Sequence, residues 1–330
     1  MSPSRRQVIQ TIIDDLEGGR SPVLDVVDFP CFSQISTSGN PHIGPDTAQR
    51  IAAGLTAADI PTFKRAIEAL EDGDVAWIGF KVVFDADAAV QNVDNDVTGK
   101  YGQTGSADGQ DTVFFCNDAG QIVTARPRSP RDTFQMKDVT RGPAMHNEQF
   151  DGLTWCAVPL FDQVRVWLLG ASDAASEVAA LAHHVRFAVT AVDYDAQYLN
   201  EERFPYAERI LIDSFDDMSD LHAEPEDYVC VLTRGHMFDP QSCLWAVAHK
   251  VHYVGMMGCA GKNSTVQVLC EEHGMTEAQW DAIKRPIGLK FGAKTPAELA
   301  IAIVGELVDV RYKQRYSIEA QERHETDLGR

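Results

Sequence analysis

The sequence predicts an α/β protein, with a C-terminal Rossmann-like parallel-sheet domain and a separate α+β N-terminal domain. After Asp162, short runs of strand-forming residues alternate with stretches of helical periodicity, which is typical of parallel βαβ units with right-handed crossovers. A chain of 330 residues is also longer than one ordinary domain. We expect domains at residues 1–160 and 161–315, followed by a polar tail at 316–330.

In the N-terminal domain, periodicity and turn residues predict helices, strands and one hairpin. We expect helices at Gln7–Leu16, Asp46–Leu55 and Pro61–Leu70, strands at Pro22–Val27, Trp77–Phe84 and Trp155–Leu160, and a hairpin of Thr112–Cys116 with Gln121–Ala125. Glycine, proline, asparagine or arginine are frequent in the remaining segments, which we interpret as loops at Ser36–Pro45, Asn92–Asp111 and Arg126–Pro143.

The C-terminal domain is predicted from short strand-like runs separated by helical stretches. The runs are Val164–Leu169, Phe187–Val192, Arg209–Ile212, Tyr228–Leu232 and His252–Met257. The first is almost entirely apolar, as expected of a parallel strand buried on both faces. A long final helix is predicted where Thr295 precedes Pro296 and Glu298 completes a capping box.

Composition and charge exclude several classes of partner. The net charge is −20, which disfavours binding to nucleic acid. No apolar run is long enough to cross a membrane, and Asp14 and Asp15 interrupt the stretch that a secretory signal would need. The seven cysteines form no C-x-x-C pair, so we expect free thiols, no metal site and a cytoplasmic location.

The first candidate site is the turn that follows the first C-terminal strand. A dinucleotide-binding turn needs glycine at three positions. Here Gly170 occupies the first and Ser172 stands at the second, while Asp173 adds a negative charge where phosphate would lie. Asp193 follows the next strand, near the position of a ribose-binding carboxylate. The pattern fits either a nucleotide site or a tight strand-to-helix turn without a ligand.

The second and third candidate sites also follow predicted strands, where ligands of open α/β sheets bind. In the segment after the fourth strand, Arg234 can hold an anion and His236 a polar ligand. Asp239 can bind the same ligand or cap the next helix. After the fifth strand, the backbone around Gly258 can cradle a phosphate beside Lys262. Cys259 lies in that loop, either as a reactive thiol or as a small buried filler.

Together these segments resemble the XdhC/CoxI family, the accessory factors of xanthine dehydrogenase. The resemblance covers Trp167–Arg311 and rests on several motifs in the same order. They are Glu202–Pro205, Thr233–Asp239, Tyr253–Gly258 with Lys262, Pro286–Leu289 and Gly292–Pro296.

The resemblance implies a Rossmann fold and a chaperone that binds the molybdenum cofactor in its molybdopterin form. Such a protein protects the cofactor during sulfuration and delivers it to a molybdenum hydroxylase apoenzyme, which makes that enzyme, a cysteine desulfurase and a second copy of the chain the expected partners. The cofactor-binding candidates are Gly170, Ser172, Asp193, Arg234, His236, Asp239, Gly258, Cys259 and Lys262. Two other hypotheses stay open: an NAD(P)-dependent oxidoreductase, and a degenerate scaffold that binds a partner but no ligand.

Overall fold

The computed structural model describes residues 4–24, 47–81, 112–128, 130–140, 155–258 and 260–316. The chain divides into two compact units, Met1–Asp162 with Ile318–Arg330 and Gln163–Ser317. Within the described residues, no helix combines the length and the apolar character needed to cross a membrane.

The first unit contains an antiparallel sheet and several helices. Its described helices are α1 (Arg5–Glu17), α2 (Thr47–Gly54), α3 (Ile60–Asp72) and α4 (Pro130–Val139). Its described strands are β1 (Ala76–Lys81), β2 (Val113–Asn117), β3 (Ile122–Val123) and β4 (Trp155–Pro159), which pair in the order β3-β2-β1-β4. The apolar faces of α1 and α3 and one face of the sheet share a core that includes Ile12, Phe63 and Phe115.

Most elements predicted for this unit are confirmed, but the prediction for the segment before β4 is wrong. We interpreted Arg126–Pro143 as a loop because of its arginines and prolines, but Pro130–Val139 forms helix α4. Proline is tolerated in the first turn of a helix. Met136 and Val139 lie one turn apart on this helix, and both side chains are buried against β2 and β4.

A second correction concerns the start of the chain, where Pro22–Leu24 are not in a strand. The rest of that predicted strand lies outside the described residues. So do residues 82–84 of the predicted Trp77–Phe84 strand and the predicted loops at Ser36–Pro45 and Asn92–Asp111.

The second unit is built on a parallel sheet, as the sequence predicts. Its strands are β5 (Arg165–Leu169), β6 (Ala188–Asp193), β7 (Glu208–Leu211), β8 (Tyr228–Val231) and β9 (Tyr253–Met256), in the order β7-β6-β5-β8-β9. Its described α-helices are α5 (Asp173–His184), α6 (Asp239–Ala248), α7 (Ala260–Glu272), α8 (Glu277–Ala282) and α9 (Pro296–Arg315). The chain moves outwards in one direction from β5 to β7 and in the other from β8 to β9. The switch point of this Rossmann-like order therefore lies between β5 and β8.

Both faces of this sheet are covered. Val166 and Leu168 of β5 point into one core with α5 and α9, while Trp167 and Leu169 point into a second core. The second core includes Trp245 of α6. This explains why the strand is apolar throughout rather than alternating.

A buried carboxylate on α9 ties this helix to the edge of the sheet. Glu306 is only 6% exposed and accepts hydrogen bonds from the Tyr253 hydroxyl and from the Gly288 backbone N–H at 3.2 Å. The Nζ atom of Lys284 lies 3.5 Å from its other oxygen. Glu306 therefore fixes the segment that runs beside β9.

The N-terminus of α9 permits a direct test of its predicted cap. The Thr295 hydroxyl accepts from the Glu298 N–H at 3.2 Å, and the Glu298 carboxylate accepts from the Thr295 N–H at 3.0 Å. Thr295→Ala should destabilise the second unit by about 1 kcal/mol because this cap bond is lost. Thr295→Ser keeps the hydroxyl and should be nearly neutral. Hydrogen exchange of α9 amides measures the difference, and equal exchange in the two variants would contradict the prediction.

Candidate functional site at the carboxyl edge of the parallel sheet

The turn between β5 and α5 is packed directly against the loop that follows β8. Gly170 has a φ of 111°, which favours glycine, and its N–H donates to the Val192 carbonyl at 2.8 Å. A Cβ atom at this position would lie 2.5 Å from the Thr233 Cα and 2.6 Å from the Leu232 carbonyl oxygen. The two loops at the switch point are therefore in backbone contact.

The beginning of α5 is satisfied by side chains of the protein itself. The Ser172 hydroxyl caps the helix by accepting from the Ala175 N–H at 3.2 Å. Asp173 is exposed and pairs with Arg203 at 2.7 Å, and the same guanidinium donates to the Ala171 carbonyl at 3.1 Å. Ser172 thus stabilises the helix where a dinucleotide site would carry glycine.

Asp193 connects the end of β6 to the two neighbouring loops. It is 1% exposed, and one of its oxygens accepts from the Ala171 N–H at 2.7 Å. The other accepts from the Asp195 N–H at 3.0 Å and from the Arg234 guanidinium at 3.1 Å. The carboxylate therefore faces internal donors rather than an open ribose position.

Arg234 and two tyrosines form a partly exposed cluster at this edge, with the guanidinium paired to Asp193 and Asp195. The Arg234 guanidinium lies 3.7 Å from the centre of the Tyr198 ring and 5.4 Å from that of Tyr194. Arg203 also lies over the Tyr198 ring, at 5.4 Å. Both tyrosines are more than one-third exposed. We did not predict them, although their positions just after β6 would have allowed it.

His236, Asp239 and Thr233 form a connected polar group after β8. Asp239 is 1% exposed, and its two oxygens lie 2.5 Å from the Thr233 hydroxyl and 2.8 Å from the His236 Nδ1. Burial raises the pKa of Asp239, and these two hydrogen bonds and the charge of Lys262 partly oppose that rise. Asp239 does not cap α6, because its carboxylate is directed to the preceding turn instead.

The backbone that presents His236 is strained. Gly235 and His236 both have positive φ angles, 66° and 64°. This conformation costs a non-glycine residue roughly 1–2 kcal/mol. Strain of this kind is often found where a side chain must be held in one direction.

The loop after β9 lies beside the same group. The Met257 N–H donates to the Val231 carbonyl at 3.1 Å, so the chain leaves β9 along the end of β8. A Cβ atom on Gly258 would lie 2.3 Å from the Asn263 side-chain oxygen, so this glycine allows the loop to meet α7. Lys262 is exposed and, among the described residues, makes no ion pair, yet it acts electrostatically on Asp239.

The structure thus brings most of the predicted residues to one edge of the sheet. Gly170 packs against the loop of Arg234 and His236, and Lys262 lies in the first turn of the helix that follows β9. Cys259 lies outside the described residues. Among those described, no group of three or more histidine, cysteine, aspartate or glutamate side chains is arranged to hold a metal ion.

Comparison with known proteins gives a match to one family model and similarity to two relatives. Residues 166–307 match the XdhC Rossmann domain. A protein from Bacillus subtilis strain 168, named as a probable subunit of xanthine dehydrogenase, is 28% identical over 180 residues, which is 53% of this chain and 52% of that protein. The Escherichia coli K12 protein YqeB, described as uncharacterized, is 25% identical over 149 residues, 44% of this chain and 27% of its own length. The chain therefore spans about half of the first relative and about a quarter of the second.

A solved structure is also similar. A xanthine dehydrogenase from Bacillus halodurans, with 16% sequence identity, aligns with a TM-score of 0.45 over 78% of this chain and 68% of that one.

Proposed function

We propose, because residues 166–307 match the XdhC Rossmann domain, that the chain is an accessory protein for the maturation of a xanthine dehydrogenase-type molybdenum hydroxylase. In this role it binds the molybdenum cofactor in its molybdopterin form, holds it during sulfuration and delivers it to the enzyme. The proposal is carried by one observation, the convergence of Arg234, His236 and Lys262 on the carboxyl edge of this domain.

The residues at this edge fit a phosphorylated pterin. The Lys262 ammonium is exposed beside the first turn of α7, where helix N–H groups also favour an anion. Tyr194 and Tyr198 are each more than one-third exposed and offer aromatic surface to a flat heterocycle, while Arg234 stacks on the Tyr198 ring and pairs with the buried Asp193. We propose that Lys262 binds the phosphate of the pterin and that Tyr194 and Tyr198 contact its ring.

A nicotinamide dinucleotide is supported less well. Its ribose would need Asp193, but that carboxylate is almost fully buried and already accepts three hydrogen bonds. Its pyrophosphate would need a free helix N-terminus, whereas Ser172 caps α5 and Asp173 places a carboxylate there. The oxidoreductase hypothesis therefore remains the second choice.

The partners follow from the proposed role. We propose a molybdenum hydroxylase apoenzyme as the client, a cysteine desulfurase as the sulfur donor and a second copy of the chain as the assembly partner. With a net charge of −20, the surface favours partners that offer basic patches, and association should weaken as salt increases.

We expect Lys262→Ala to lose most of the cofactor that the wild-type protein carries. A charge-assisted hydrogen bond contributes roughly 1.5–3 kcal/mol, so its loss should weaken cofactor binding about tenfold or more, enough for most of the cofactor to dissociate during purification. The full chain is produced in cells that synthesise molybdopterin and purified, and the pterin is oxidised and measured by its fluorescence.

Lys250→Asn is the matched control, because it removes a lysine at the opposite, amino edge of the sheet. Lys250 has a positive φ of 55°, which asparagine tolerates well. Wild type and this variant should carry equal amounts of pterin. A wild-type protein without pterin, and without affinity on titration, would refute cofactor binding. If that protein still captured the hydroxylase, the scaffold hypothesis would be favoured instead.

A further inference from the structure

The side chains of Thr233, Asp239 and His236 form a hydrogen-bonded relay that ends at a partly exposed imidazole. Both oxygens of Asp239 are engaged, one by the Thr233 hydroxyl and one by the His236 Nδ1. The side chain of Asp239 is 2% exposed, and that of His236 is 24% exposed. The relay therefore runs from the buried end of β8 towards solvent at the edge of the sheet.

The ionised state of Asp239 determines which tautomer of His236 its hydrogen bonds favour. An ionised carboxylate only accepts hydrogen bonds, so the Thr233 hydroxyl and the His236 Nδ1 must both donate to Asp239. Burial raises the pKa of Asp239, whereas its two hydrogen bonds, the positive charge of Lys262 and its position in the first turn of α6 favour the ionised form. With the proton on Nδ1, the Nε2 atom of a neutral imidazole carries a free lone pair.

We propose that His236 is the hydrogen-bond acceptor of this site. Its Nε2 accepts a hydrogen bond from an N–H group on the bound heterocycle. Asp239 and Thr233 act as positioning residues that hold the tautomer and the ring direction. Lys262 supplies positive charge for the phosphate, whereas His236 recognises the hydrogen-bonding edge of the ring. The identity of the ligand as a pterin rests on the function proposed above, but the tautomer does not.

The tautomer can be measured without any ligand. In the full-length protein labelled with nitrogen-15 in histidine, the His236 resonances are assigned by their loss in His236→Asn. We expect a protonated Nδ1 and an unprotonated Nε2 at neutral pH. In Asp239→Asn, the amide group can donate to Nδ1, and the proton should move to Nε2. Protonation of both nitrogens in the wild-type protein, or of Nε2 alone, would overturn the proposal.

Binding provides the second test, with neopterin monophosphate as the probe in calorimetric titrations. His236→Ala and Asp239→Asn should each weaken binding about tenfold, the second although the imidazole remains. His236→Gln places an amide oxygen near the Nε2 position and should retain most of the affinity. Circular dichroism verifies that every variant is folded.

The outcomes separate the two proposals. If Asp239→Asn binds the probe as tightly as the wild-type protein, the acceptor role of His236 is wrong. If the wild-type protein does not bind the probe but shows the expected tautomer, the pterin-binding function is wrong and the relay still stands.

Discussion

Gly170→Ala is expected to be among the most damaging single-methyl changes in the second unit. The new Cβ atom would lie 2.5 Å from the Thr233 Cα and 2.6 Å from the Leu232 carbonyl oxygen, and because both neighbours are backbone atoms, no side-chain rotation can relieve the clash. The φ of 111° adds conformational strain for any residue other than glycine. Strain and overpacking together should cost about 3–5 kcal/mol.

Gly274→Ala separates the steric clash from the backbone strain. Gly274 has a φ of 93°, but a Cβ atom there would meet nothing within 4 Å. We expect this control to cost only about 1–2 kcal/mol. Hydrogen exchange of peptides from β5 and β8 in the full-length protein measures both changes. If the two variants exchange equally, the switch point is looser than the structure indicates.

The parallel sheet was predictable because its strands are short, apolar and separated by helical periodicity. Val166 to Leu169 are buried on both faces, and this burial is visible in the sequence as an uninterrupted apolar run. Helix α4 was not predictable on the same basis, because its buried side combines the apolar Met136 and Val139 with the polar Gln135 and Asp138. This segment is helical because of its tertiary packing rather than its local helix propensity.

At the candidate site, the sequence could predict position but not partners. Gly170, His236 and Lys262 follow strands, and the topology alone places such residues at one edge. Nothing in the sequence shows that Asp193 accepts from the Ala171 N–H, or that Asp239 turns back to His236 instead of capping α6. Those contacts depend on side-chain geometry across segments that the sheet brings together.

Glu306→Ala should destabilise the second unit by about 2–5 kcal/mol. It would leave the Tyr253 hydroxyl and the Gly288 N–H without their acceptor, and each buried unpaired group costs about 1–3 kcal/mol. Burial raises the pKa of Tyr253, as do the neighbouring Cys230 and Glu306, so the phenol stays protonated and needs an acceptor. Lys284, which is half exposed, loses little when its partner is removed.

Conservative variants identify which contact carries this effect. Glu306→Gln keeps an acceptor oxygen for Tyr253 and Gly288, and we expect it to cost only about 1 kcal/mol. Tyr253→Phe removes one of the two donors, so adding it to Glu306→Ala should cost less than the sum of the single changes. Hydrogen exchange of the amides in β9 and residues 284–289 reports each value. Additive costs in the double variant would mean that Glu306 stabilises α9 itself, because the shared hydrogen bond would then contribute nothing measurable.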